Sequence, residues 1–287
     1  MSDTTRALLS SWELQPIVLL VLLLFGGLFT IGWVRLRKRD ATLGRIWRIL
    51  SYWAGLLLVF LALMSPIEVL SGQLFTAHMI QHLMIAMFAP PLLLAPNPLP
   101  IVMWGMPLKA RRRVGRLLFS KRSRIRPLLT QLSKPAVAWA AFFLFLWGWH
   151  DSNLYNLTLR NEWVHDLEHF TFFYSAMLLW WHITGAAPIF HKRFSYPARI
   201  AFVIGCVPAN MLAGVVIALA ESVIYTHYLS VPFRTFNISV LDDQRLGGAI
   251  MWIPGSMMYV IAVIVLVTLW LNEQEREARV RPAYTAD

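Results

Sequence analysis

The 287-residue sequence is 57% hydrophobic and 14% charged, with a mean hydropathy of +0.56, which is too apolar and too poor in charge for a water-soluble domain of this length. Its 26 Lys and Arg against 15 Asp and Glu leave a formal charge of +11, a balance compatible with nucleic acid, anionic lipid or the cytoplasmic loops of a membrane protein, so the location of the charge must discriminate. The single cysteine, Cys206, rules out an intrachain disulfide and a CxxC metal site.

Apolar runs of about 20 residues, the length an α-helix needs to cross a hydrocarbon core, fall at about 14–34, 47–67, 74–94, 135–150, 164–184, 198–220 and 248–271. The basic cluster of the first run follows its apolar stretch instead of preceding it, which predicts a retained span and not a cleaved signal. The fourth run is cut short by Lys134 and Pro135, although proline suits a first helical turn and lysine can snorkel to the interface. No alternating strand segments appear, and helices satisfy their own backbone groups in lipid. The pattern predicts an all-α membrane protein, a seven-transmembrane-helix bundle forming a single polytopic domain over 1–287.

Lys and Arg are distributed unevenly between the connections. The 35–48, 97–134 and 186–199 loops and the tail after 271 hold 22 of the 26, and the opposite side holds four. The excess marks the cytoplasmic side, which places the N-terminus outside and the C-terminus inside. Within the basic cytoplasmic loop 97–134, the stretch from Lys109 to Arg126 carries nine basic residues. Its Leu108, Val114, Leu117, Leu118 and Phe119 suit an amphipathic helix lying on headgroups. A cytoplasmic loop of a membrane protein is basic by default, and with no recognition module beside it this one does not read as a nucleic-acid site.

The outer side gathers ten acids (Asp3, Glu13, Glu68, Asp151, Glu162, Asp166, Glu168, Glu221, Asp242 and Asp243) against four bases, a negative rim toward an approaching cation. Six of eight histidines map to the same half: His78, His82, His150, His165, His169 and His227; His182 and His191 map inward. His78 and His82 form HMIQH at the outer start of the third span, and His165 and His169 form HDLEH at the outer start of the fifth. An i, i+4 pair stacks two imidazoles on one helix face about 6 Å apart, the way a helix offers two nitrogens to one metal. His150 ends the fourth span at a similar level. Ionisable groups at membrane depth are costly and face a partner or a cavity, so five converging histidines point to a metal or cofactor site, with a structural polar network as the alternative.

Imidazole suits zinc, copper, iron and nickel, while thioether sulfur favours the cuprous ion. Met79 inside HMIQH and Met251 at the start of the last span are candidate soft ligands. Glu168, three residues after His165, is a candidate for orienting an imidazole, ligating or acting as base. Haem between facing histidines such as His82 and His169 is a further option. The long 221–247 connection, with Tyr225, His227, Tyr228, Phe233 and Phe236, is placed to act as a lid. Gly247 and Gly248 then permit a tight turn or a close helix approach.

Taken together, SPIEVLSGQLFTAHMIQH followed by APPLLL, WGWH ending the fourth span, HDLEH with its aromatic run, and DDQRLGGAIMW resemble the multi-span CtaG family of cytochrome c oxidase assembly factors, over about residues 45–272. The resemblance implies a multi-pass protein of the bacterial cytoplasmic (inner) membrane that helps make an active haem-copper oxidase, with copper delivery as its role. It maps the family's histidine pattern onto His78, His82, His150, His165 and His169, and its late acidic-glycine motif onto Asp243, Gln244, Gly247 and Gly248. The expectation is therefore a non-enzymatic metallochaperone that binds copper through these outer-face histidines, with Met79, Glu168, Asp243 and Met251 as soft ligands or supporting groups. Cytochrome c oxidase subunits, the lipid bilayer and a periplasmic copper donor are the expected partners. A seven-span zinc-dependent membrane hydrolase and a metal-free assembly scaffold are the alternatives.

Overall fold

The computed structural model describes residues 10–42, 44–190, 194–232 and 234–280. His191, Phe233, Asp3 and Arg6 lie outside the described residues. Every regular element among the described residues is helical. In chain order these are α1 (Pro16–Arg37), α2 (Ile46–Met64), α3 (Pro66–Ser71), α4 (Phe75–Leu83), a π-helical turn (Met84–Phe88), α5 (Ala89–Leu94), α6 (Pro98–Gly105), α7 (Leu108–Phe119), α8 (Arg126–Leu132), α9 (Pro135–Trp149), α10 (Ser152–Thr158), α11 (Glu162–Thr184), α12 (Tyr196–Ile204), α13 (Val207–Ala218) and α14 (Val240–Val280).

Helix stands at each of the seven expected positions, but the elements are cut differently. Five are long and apolar enough to cross a membrane (α1, α2, the α4–α5 run, the α12–α13 run and α14), and α8 with α9 makes a sixth if the pair, bent by 58°, counts as one span. The 23-residue α11 has the length, but Glu162, Asp166, Glu168 and three histidines dilute its apolar character. Seven spans are thus not reached on length and apolarity alone.

The cuts have local causes. α2 stops at Met64, short of the expected 67, because Ser65 is extended and its side chain accepts from the Ile67 amide to start α3, with Pro66 in the first turn. Between α4 and α5, Pro90 has no N–H to give the Ala86 carbonyl four residues back. The backbone relaxes into the π turn, and Trp180 Nε1 of α11 donates to Ala86 at 3.0 Å instead. A break at Gly205–Cys206, ahead of Pro208, separates α12 from α13. The last helix begins at Val240, eight residues before the expected 248, since Ser239 Oγ accepts from the Asp242 amide and Asp242 and Asp243 sit favourably at a helix N-terminus.

One buried core joins α4, the π turn and α9–α14, and a second joins α1, α2, α5 and α6, where Phe29 stacks on Tyr52 with centroids 3.9 Å apart. The amphipathic α7 forms as expected and has no buried residue; Leu108, Leu117 and Phe119 remain exposed. Arg39 and Arg111 lie 4.6 and 4.7 Å from the Trp104 ring, a cation–π arrangement that holds α6 to the basic end of the bundle.

The expected close approach at Gly247 and Gly248 involves two partners. A Cβ on Gly248 would stand 2.5 Å from the Ala218 backbone nitrogen of α13, and one on Gly247 would meet the Phe75 ring of α4. α14 is thereby wedged between α13 and the helix that carries HMIQH. Gly248→Ala is expected to destabilise the detergent-solubilised protein by about 1–3 kcal/mol through overpacking against backbone, read as a lower melting temperature; an unchanged one would show that α13 can move aside.

Candidate metal centre

α4 and α11 build the centre. Phe75, Ala77, His78, Met79, Gln81 and His82 are all buried, so α4 presents polar groups to the interior and must find them partners. On α11, His165, Glu168 and His169 stand at i, i+3 and i+4, one helix face. The structure turns these faces together. His78 Nε2 and His82 Nε2 lie 2.8 Å apart, and Glu168 approaches the same point, with Oε2 3.4 Å from His78 Nε2 and Oε1 3.7 Å from His82 Nε2. The His169 ring lies 5.6 Å from that of His82 and 6.1 Å from that of His78. Donor atoms of His78, His82, Glu168 and His169, all buried, fall within 4.8 Å of one another. Glu168 is fully buried.

Glu68, His165 and His169 make a second such group. His165 Nδ1 faces Glu68 Oε1 at 3.4 Å, and its ring is 4.2 Å from that of His169 and 5.3 Å from that of His78. Gln81 Nε2, on α4 between the two histidines, donates to Glu68 Oε2 and to the Ala62 carbonyl. Burial pushes the Glu68 carboxyl up to about 8, the Gln81 hydrogen bond opposes this, and Glu13, Asp166 and Glu168 add to it. A cation beside Glu68 would hold it ionised.

The donor chemistry fits a divalent metal. His78 Nδ1, His82 Nδ1, His150 Nε2, His165 Nε2 and His169 Nε2 are buried without a hydrogen-bond partner among the described residues, an arrangement that is costly as a mere polar network. Three imidazoles and a carboxylate are nitrogen and oxygen donors. Met79 and Met251 both lie in the apolar core, Met79 with its Cγ on the Gly247 side of α4 and Met251 with its carbonyl accepting from Asn210 Nδ2 at 3.2 Å.

The other expected residues are distributed around it. His150 caps α9, bonds the Leu146 carbonyl through Nδ1 at 2.7 Å, and has its ring centroid 6.3 Å from that of His82, outside both donor groups. Trp149 Nε1, donating to Thr171 Oγ1 at 2.8 Å, fixes that end of α9 to α11. Asp243 is buried and belongs to neither donor group. It accepts from the Phe75 and Thr76 amides at 2.8 and 3.0 Å and pairs with Arg234 at 2.7 Å, so it caps α4 from a neighbouring helix. Gln244 Oε1 holds the Ile224 and Tyr225 amides. The late acidic motif therefore anchors, and Tyr225 and Tyr228 of the 221–239 connection pack on Tyr155 of α10. Tyr155 lies 5.0 Å from the His78 ring and bonds Tyr228 hydroxyl to hydroxyl at 2.9 Å; Tyr228 continues to the Ser71 carbonyl and Tyr225 to that of His150. His227 stands outside the groups, its amide on Asn156. His182 is remote, among Trp181, Phe194 and Phe202.

Sequence reasoning left Glu68 among the rim acids and did not single out Gln81. Their signal was available: Glu68 is thirteen residues before Gln81 in the same SPIEVLSGQLFTAHMIQH stretch, but only the α3–α4 turn shows that the two meet.

The family model for the cytochrome c oxidase caa3 assembly factor (Caa3_CtaG) matches residues 27–273. Relatives include uncharacterised proteins of Mycobacterium bovis and Mycobacterium tuberculosis, each 27% identical over 261 residues, and one of Mycobacterium leprae, 22% identical over 278. These alignments cover 87%, 87% and 93% of this chain but 38%, 38% and 40% of the relatives, so the chain spans about two-fifths of their length. No solved structure matches. With the family model covering most of its length, the chain belongs to the cytochrome c oxidase caa3 assembly factor family.

Proposed function

We propose that this protein binds one copper ion at His78, His82, Glu168 and His169 and hands it to a subunit of a haem-copper cytochrome c oxidase during assembly, as a carrier and not as an enzyme. The convergence of His78 Nε2, His82 Nε2 and both Glu168 oxygens on one buried point carries the reading. Family membership supplies the oxidase. The nitrogen and oxygen donor set supports the cupric state, and at such a site affinity ranks copper above zinc. On the distribution of Lys and Arg, the centre faces the outside of a bacterial cytoplasmic membrane crossed seven times, with α11 as the span that trades apolarity for ligands. A periplasmic donor would load the protein from that side.

Elemental analysis of detergent-purified protein tests this. The expectation is copper near one per chain after loading, lost in a His78→Ala, His82→Ala double variant of unchanged helicity. Zinc retained in preference to copper, with hydrolysis of lipid amides, would replace the carrier by the hydrolase. Equal metal in native and variant protein would remove the centre altogether.

A further inference from the structure

The two donor groups share His169 and differ in access. The side chains of Glu68 and His165 are 10% and 14% exposed, against 0% for His78 and Glu168 and 7% for His82. We infer that Glu68 and His165 form an outer docking position from which a divalent cation passes to the buried group by ligand exchange on His169, a single ion occupying the two positions in turn. The inference rests on the metal reading above and adds a route to it.

Three observations carry it. A neutral imidazole offers one lone pair, so His169 serves one ion at a time and the two positions fill alternately. His165 stands between the groups, near both the His169 and His78 rings, and its buried Nε2 has no hydrogen-bond partner among the described residues. Glu68 is tied by Gln81 to the helix that carries His78 and His82, which fixes the spacing between mouth and interior. A bare ion need never cross the intervening space, since each ligand lost at the mouth is replaced by one farther in. Glu13 and Asp166 add negative charge around Glu68, concentrating cations at the mouth.

Loading kinetics test it. Apoprotein in detergent is mixed with cupric ion from a weak chelator, and uptake is followed by the ligand-field absorption, for the native chain and for a Glu68→Gln, His165→Gln double variant. The expectation is that the variant reaches the native copper content but loads about tenfold more slowly, the low end of what charge at an entrance contributes to association rates. Loading at the native rate would overturn the route. A variant with no copper at equilibrium would make His165 part of the resident site and overturn it equally. Two ions per native chain falling to one in the variant would show simultaneous and not alternating occupancy. A native chain that takes up no copper would fail the metal reading itself, and the route with it, and is distinguished from the other outcomes by the native measurement alone.

Discussion

Cupric ion added to the metal-stripped protein is expected to raise its melting temperature strongly, and Glu168→Gln is expected to remove most of that rise. A ligand that binds only the folded state stabilises by RT ln(1 + [L]/Kd), about 4 kcal/mol at a thousandfold excess over Kd. The donors at this centre are held ready by packing: His78 and Glu168 are fully buried, and His82 and His169 nearly so. The unfolded chain offers the same side chains without that arrangement, so binding energy becomes folding energy. With a divalent ion bound, Glu168 would be the one carboxylate beside three imidazoles, and a glutamine in its place would keep the volume but could not neutralise that ion in a medium of low dielectric constant. His82→Ala should behave likewise, with a cavity cost of its own in the apoprotein. The measurement is a thermal melt in detergent with and without copper. Equal metal-dependent shifts in native and Glu168→Gln protein would place the ion elsewhere.

How far the sequence discloses this centre depends on the range of the interactions. The i, i+4 pairs His78/His82 and His165/His169 are local, fixed by helical periodicity, and both land at the centre. Glu168 was legible as a neighbour of His165, although its complete burial was not, because burial depends on α4 packing against α11. His150 was legible as the end of its helix. Its ring is turned by the Leu146 carbonyl in its own last turn, a local bond that holds it beside the two groups. Met79 depends on packing as well as on its helix. Its place inside HMIQH suggests a ligand, yet one residue past His78 is about 100° around the helix, toward Gly247 and the core. The span count stays open at α11 because Glu162, Asp166, Glu168 and three histidines lower its apolarity, and three of these polar residues, His165, Glu168 and His169, belong to the donor groups.

Asp243→Ala is expected to cost about 3–5 kcal/mol, because it leaves the partly buried guanidinium of Arg234 without its countercharge and strips the Phe75 and Thr76 amides of their acceptor. The first-turn N–H groups of a helix have no partner within it. Here the acceptor comes from 168 residues away in sequence, at 2.8 Å from the Phe75 amide, so one carboxylate joins α4, α14 and the 221–239 connection. Asp243→Asn keeps an acceptor of the same shape but loses the ion pair, and should fall between alanine and the native residue. The melting temperature in detergent reads both. Metal content then separates an anchor from a ligand. His78 lies one turn into the helix that Asp243 caps, so a folded Asp243→Asn protein should still take up copper near one per chain, though more weakly, whereas His82→Ala should not at any stability. An Asp243→Ala protein that melts with the native one would mean that α4 is held by its apolar face against Gly247 and not by its cap; an Asp243→Asn protein that keeps its fold but loses copper would return Asp243 to the metal.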